Sequence, residues 1–185
     1  MKNPEYLITH HGADARKLTL LEMKDIYQRT HYESLYKTYK QPRDVNNAYP
    51  DIAYHLLVGT DGWTWMRDPS IEGYHASNYP VNINSLAICI SGNYDHDTLD
   101  TDMERYYREA VADARERFPS LKYCNGHRAY ANKTCPGGTI TNTFIKSVFE
   151  EPLPPENDEI KVLLGESLLH HKKSMEALQK IIKHI

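Results

Sequence analysis

Asn84-Ser85-Leu86-Ala87-Ile88-Cys89-Ile90-Ser91-Gly92 holds five consecutive apolar residues, Leu86 to Ile90, between a polar start and a glycine stop. An apolar run without alternation leaves no face for water. At this length it reads as a strand buried on both sides, the kind found at the centre of a sheet covered by helices. The segments around it agree. Tyr6-Leu7-Ile8-Thr9 is a short β-prone run that ends in two histidines. Ile52 to Val58 reads as a strand, Thr60-Asp61-Gly62 as a tight turn, and Trp63 to Met66 as the returning arm of a hairpin. Thr19 and Glu22 stand at capping-box spacing and open a helix to about Tyr39. Thr101 with Glu104 opens another, which ends near Phe118-Pro119, and Thr141 to Phe149 forms a third. Strands interleaved with helices predict an α/β domain around one sheet.

The 185 residues suit one domain with a small appendage. Apolar residues at 40% and charged residues at 25% are the composition of a soluble globular protein. No apolar run reaches the length of a membrane span. Met1 to Glu5 lacks the apolar stretch of a secretory signal. The formal net charge of −3 argues against a general nucleic-acid binder. Three cysteines do not make a disulfide framework and read as reduced thiols of a cytoplasm. Tyrosine outnumbers phenylalanine 14 to 3, which suits a wet groove as well as a core, and 10 histidines prompt a search for metal ligands.

Composition breaks once, at the proline-rich, acidic run Glu150 to Asp158. Proline cannot continue a helix, so 151–157 reads as a linker between a main domain, 1–150, and a tail, 158–185. In the tail Leu164, Leu168, His171, Met175, Leu178, Ile182 and Ile185 follow heptad spacing. A C-terminal amphipathic helix is expected, serving self-association, docking onto its own domain, or wall binding.

Two stretches offer metal chemistry. Thr9-His10-His11-Gly12 places a histidine at the supported end of a strand. Gly126-His127-Arg128 leads, after a segment without obvious regular structure, to Lys133-Thr134-Cys135-Pro136-Gly137-Gly138. Imidazole and thiolate both suit zinc. His10, His127 and Cys135 give three ligands, and a catalytic zinc keeps its fourth position for a water whose pKa it lowers toward about 7. Cys124 or His11 would close that position and make the site structural.

These motifs in this order, with Ile52-Ala53-Tyr54-His55, Gly73-Tyr74-His75-Ala76 and Asn84-Ser85-Leu86-Ala87-Ile88 between them, resemble the type 2 N-acetylmuramoyl-L-alanine amidases. That family includes phage lysozymes of the amidase type and is related to the peptidoglycan recognition proteins. The resemblance runs from about Tyr6 to Phe149. It implies a mixed central β-sheet flanked by helices, with zinc at the floor of a surface groove. It implies His10, His127 and Cys135 as ligands, Tyr54 and Lys133 as catalytic residues, and bacterial peptidoglycan as partner, with neither nucleic acid nor membrane. The bond cut would be the amide between N-acetylmuramic acid and L-alanine. Zinc and Lys133 would face the oxyanion, and Tyr54 would position water and relay its proton. Glu72 is a second candidate base, or else a solvated loop acid.

Other residues carry paired readings. His75 either contacts substrate or holds its loop. Asn84 either contacts substrate or orients the strand after it. His55 reads as structural and Cys89 as a packed thiol. Cys124 is a core residue or a thiol bracing the metal ligands. Trp63 and Trp65 share a face and either pack the core or platform sugar rings. Two departures stand out, Gly12 where a hydroxyl residue is common and Ala129 where an acid is common. Tyr39 to Asp51 reads as an inserted irregular loop. The functional expectation is a zinc amidase acting as a phage or prophage endolysin, held in the host cytoplasm until it reaches the wall. A cytoplasmic recycling amidase, a non-catalytic recognition module and a structural zinc protein are the rivals. Recognition modules often lack the cysteine ligand.

Overall fold

The computed structural model describes residues 3–37, 40 and 42–153. The chain divides after Glu151 into two units, 1–151 and 152–185. The expected helix over 158–185 lies outside the described residues.

The first unit is built on five strands: β1 (Tyr6–His11), β2 (Leu56–Gly59), β3 (Gly62–Trp65), β4 (Ser85–Ile90) and β5 (Tyr123–Gly126). Their order is β3-β2-β4-β1-β5. The β2–β3 hairpin is antiparallel and the other pairings are parallel, so the sheet is mixed. Among the described residues four α-helices accompany it: α1 (Leu20–His31), α2 (Tyr79–Asn82), α3 (Thr101–Arg117) and α4 (Asn142–Glu150).

β4 lies inside the sheet and all six of its residues are buried. Strand alternation gives the sheet two cores. Leu7, Leu56, Val58, Leu86, Ile88 and Ile90 pack against Met103, Tyr107 and Val111 of α3 and Ile145 and Val148 of α4. On the other face Leu57 and Cys89 meet Met23 and Tyr27 of α1. Each such aliphatic side chain contributes about 1.5–3 kcal/mol on burial. No helix among the described residues is long and apolar enough to cross a membrane.

Local chemistry explains the boundaries. Thr19 and Glu22 form the capping box of α1, and the helix runs on as a π-helical stretch, Tyr32–Tyr36. The cap of α3 is Asp100 rather than Thr101: its carboxylate accepts from Met103 N at 2.9 Å and from Lys17 Nζ at 2.8 Å. β2 begins at Leu56, not Ile52, because side chains take the preceding backbone. Ala53 N donates to His31 Nδ1 at 3.1 Å, and Arg67 Nη1 donates to the Ile52 carbonyl at 3.0 Å. β5 has no counterpart among the sequence expectations. Asn125 and Gly126 are poor strand formers, and the segment is held by its pairing to β1, from Tyr6↔Tyr123 to Thr9↔Gly126. The described part of the inserted loop is irregular and pinned. The Asp51 carboxylate accepts from Arg43 Nε at 2.6 Å and Gln28 Nε2 at 2.6 Å, and Asp44 accepts from Asp68 N at 2.9 Å.

Candidate metal centre

β1 and β5 run in the same direction, and Thr9 pairs with Gly126. The next residue of each chain segment is a histidine, so the register sets His10 beside His127, with ring centroids 4.7 Å apart. The third candidate ligand, Cys135, arrives on a loop. Arg128 draws it back onto the end of β5: its amide donates to the Cys135 carbonyl at 2.9 Å, and its Nη2 donates to the carbonyls of Gly137 at 2.6 Å and Ile140 at 2.7 Å. Gly137 has φ +99°, and a Cβ there would run into the backbone of Tyr94. The loop therefore turns where only glycine turns easily.

The outcome is a cluster in which one donor atom each from His10, His127 and Cys135 lies within 4.8 Å of the others. Cys135 Sγ is 3.7 Å from His10 Nδ1, and the His11 amide donates to the same sulfur at 3.4 Å. Burial, then the neighbouring His75 and His127, lower the pKa of His10 well below the ordinary histidine value, and burial lowers that of His127. Both rings are thus neutral near pH 7, the form that ligates. Burial pushes the Cys135 thiol up to about 11, so a metal would have to displace its proton.

The donor set fits zinc. His127 Nε2 is buried without a hydrogen-bond partner, a cost that a metal at this point removes. A 3.7 Å sulfur–nitrogen separation suits one ion holding both, since Zn–S and Zn–N bonds are about 2.3 and 2.0–2.1 Å. Among the described residues no fourth ligand joins. Strand alternation turns the His11 ring to the opposite face, where Nδ1 accepts from Tyr94 N at 3.1 Å. Cys124 is buried in the core beside Tyr107. Three candidate donors would leave a position for water.

Tyr54 stands next to this cluster, its ring centroid 5.1 Å from that of His10. It precedes β2 instead of lying in it. Burial, then Cys89 and Cys135, raise its pKa well above 10, so its phenol stays protonated and can donate. Lys133 is exposed on the loop between His127 and Cys135, and its charge acts to lower the pKa of both. His75 is buried: Nδ1 sits 3.0 Å from His10 Nε2 and Nε2 sits 3.1 Å from Ser85 Oγ. Asn84 lies at the other end of β4 from the cluster. Its amide donates to the Pro80 carbonyl at 3.3 Å, and its carbonyl receives Glu5 N and Tyr6 N.

The remaining candidates lie outside the cluster. Glu72 lines a hollow with Pro42, Ser70, Ile71 and Ile83, a set that shares no residue with the ligands. His55 is buried, accepting from Ala87 N at 3.0 Å and facing the Ile71 carbonyl at 3.1 Å. Trp63 and Trp65 pack on the α3 side of the sheet and donate to Glu109 and Asp113. Gly12 is required by close approach, since a Cβ there would strike the Tyr27 hydroxyl and the Asp14 carboxylate, which bond each other at 2.8 Å.

Several supports escaped sequence reasoning. His31 holds the Ala53 amide and packs edge-on against Tyr54, with ring centroids 5.1 Å apart. Asn82 Oδ1 accepts from His75 N at 3.2 Å and Ala76 N at 2.8 Å and so shapes the His75 loop. The His11 amide on the cysteine sulfur has no signal in residue type, since any residue offers an N–H. Arg128 is visible in the Gly-His-Arg motif, but its grip on the cysteine loop is not.

The family model described as N-acetylmuramoyl-L-alanine amidase matches residues 1–138. Peptidoglycan-recognition protein SC1a of Drosophila melanogaster is 31% identical over 143 residues, covering 74% of this chain and 70% of that protein. Among solved structures, N-acetylmuramoyl-L-alanine amidase LysC from Clostridium intestinale URNW superposes with a TM-score of 0.59 at 18% identity, over 78% of this chain and 84% of that one. The human protein PGRP-IβC, solved in complex with glycosamyl muramyl pentapeptide, gives 0.57 at 19% identity, over 81% and 84%.

Proposed function

This chain belongs to the N-acetylmuramoyl-L-alanine amidase family, and from that premise we propose that it is a zinc hydrolase of peptidoglycan, cutting the amide between N-acetylmuramic acid and the L-alanine of the stem peptide. The observation that carries the proposal is the convergence of His10, His127 and Cys135 with no fourth protein ligand among the described residues. An open position is what hydrolysis needs and what a structural site lacks. Peptidoglycan as partner is supported by the solved relative that holds a muramyl pentapeptide.

In the reaction an oxygen from water bonds to the lactyl carbonyl carbon, the C–N bond breaks, and the alanine nitrogen leaves carrying a proton. Zinc, held by His10, His127 and Cys135, would supply water activation near neutral pH and polarisation of the carbonyl. Tyr54, kept protonated by burial, serves as a hydrogen-bond donor that orients water or the oxyanion and relays a proton. Lys133, exposed beside two ligands, brings positive charge to the developing oxyanion.

Non-catalytic recognition is the second reading, favoured by the 31% identity to a protein named for recognition. Cys135 within the cluster weighs toward hydrolysis. Digestion of purified peptidoglycan by metal-stripped and zinc-restored protein tests this. Zinc-dependent release of peptides with a free L-alanine amino terminus, from glycan strands of unchanged length, supports the amidase; binding without cleavage turns the reading to recognition. An endolysin role, with the protein held in the host cytoplasm before it meets the wall, is a further proposal. It predicts that added zinc-loaded protein lyses membrane-permeabilised cells; activity confined to small soluble wall fragments would instead assign it to recycling. The heptad pattern over 158–185 is proposed as a self-association seam, and its deletion should lower the solution mass.

A further inference from the structure

The zinc reading leaves one strong contact unused, the buried pair His10–His75. His10 presents Nδ1 to the cluster, 3.7 Å from Cys135 Sγ, and turns Nε2 away, 3.0 Å from His75 Nδ1. A nitrogen that ligates a metal carries no proton, so ligation through Nδ1 places the proton of neutral His10 on Nε2. That N–H then donates to His75 Nδ1. His75 is accordingly protonated on Nε2 and donates to Ser85 Oγ at 3.1 Å. One tautomer of one ring fixes the next, and the order ends at a fully buried serine of β4.

The surroundings hold this arrangement in place. The two rings stand perpendicular, with centroids 5.0 Å apart. The backbone of His75 and of Ala76 is clamped by Asn82 Oδ1 at 3.2 and 2.8 Å. His75 is buried, 7% exposed, and both its ring nitrogens are engaged within the protein. It has no nitrogen left to offer a substrate.

We propose that His75 is a positioning residue for the metal. Backed by Ser85 and held by Asn82, it selects the Nε2–H tautomer of His10 and aims Nδ1 at the ion. This rests on the zinc reading. A ligand histidine normally gives its second N–H to a carboxylate or carbonyl; here a second imidazole takes that place.

The test uses the full chain, stripped of metal and titrated with zinc against a chromophoric chelator. His75→Ala should weaken zinc binding about 10–100-fold with one zinc per chain still bound at saturation. His75→Gln should recover most of the loss, because an amide oxygen can accept from His10 and an amide nitrogen can donate to Ser85. Wild-type zinc affinity in His75→Ala, with only KM raised on a muramoyl peptide, would overturn the proposal and assign His75 to substrate. Failure of the unaltered chain to bind zinc would sink the metal reading as well, so the two failures are distinct. If His75→Ala does not fold, long-range proton–nitrogen NMR on the unaltered zinc-loaded chain decides. A slowly exchanging proton on His10 Nε2 and an Nε2–H tautomer of His75 are expected; His10 ligating through Nε2, or His75 protonated on Nδ1, overturns it.

Discussion

Gly137→Ala, set against Gly138→Ala, isolates what holds the cysteine ligand in place. Gly137 has φ +99°, and an added methyl would meet the carbonyl carbon and oxygen of Tyr94 and the amide of Asp95. That wall is fixed from two sides. Tyr94 N donates to His11 Nδ1 at 3.1 Å, and the Tyr94 carbonyl accepts from Thr139 N at 3.1 Å and Thr139 Oγ1 at 2.9 Å. Holding alanine in this backbone region costs roughly 1–3 kcal/mol. Moving Tyr94 forfeits hydrogen bonds worth about 1 kcal/mol each. The sum is about 4–6 kcal/mol, at the large end for a single substitution. For a domain of this size that lowers Tm by roughly 8–24 °C. Nothing lies within 4 Å of a Cβ built on Gly138, and its φ is ordinary. Gly138→Ala should change Tm by no more than about 1–2 °C, in line with a surface substitution. Calorimetry with and without zinc reads both. Gly137→Ala should also lose part of the stabilisation that zinc confers, because the loop it distorts carries Cys135. Equal Tm values for the two variants would refute the reasoning.

Cys135→Ser should abolish stoichiometric zinc binding while the apo fold stays within about 1 kcal/mol of the parent, as metal content and urea unfolding would report. Tyr54→Phe removes a donor and keeps the ring, so kcat should fall about 100-fold with zinc content unchanged; an unaltered kcat would take Tyr54 out of the mechanism. Lys133→Ala should cost about 100–1,000-fold in turnover with zinc retained, and full turnover would remove Lys133 likewise. Burial holds His31 down to about 4 and His55 down to about 3. The unfolded chain takes up those protons near pH 6.5, before the folded one does, so stability is whole above that pH and falls as pH drops toward 4 and 3. Urea midpoints measured from pH 8 to 4 should decline below about 6.5; a constant midpoint across that range would contradict it.

What can be read in the chain is what repeats or caps locally. The apolar run of β4, the Thr19–Glu22 box and the turn before Trp63 each carry their own chemistry within a few residues. The ligand types are legible because few side chains suit zinc. The parallel register that brings His10 and His127 together is not, since β5 is short, holds Asn125 and Gly126, and exists through its pairing with β1. Tyr54 reads as a strand residue because Ile52 to Val58 has strand composition. The backbone just before it is held instead by side chains, the Ala53 amide by His31 and the Ile52 carbonyl by Arg67. Asn82, Arg128 and the His11 amide act the same way, through individual bonds outside any regular element. Such bonds have no period, and pattern reading does not find them.

The measurement that bears most directly on the zinc-amidase reading is a zinc titration of the metal-stripped chain, with cleavage of an N-acetylmuramoyl-L-alanyl peptide followed at each addition. The expected result is no cleavage without metal, a linear rise to a single equivalent, and a plateau beyond it. Cleavage indifferent to zinc, or a chain that binds its equivalent of zinc and still leaves the muramoyl amide intact, would contradict it.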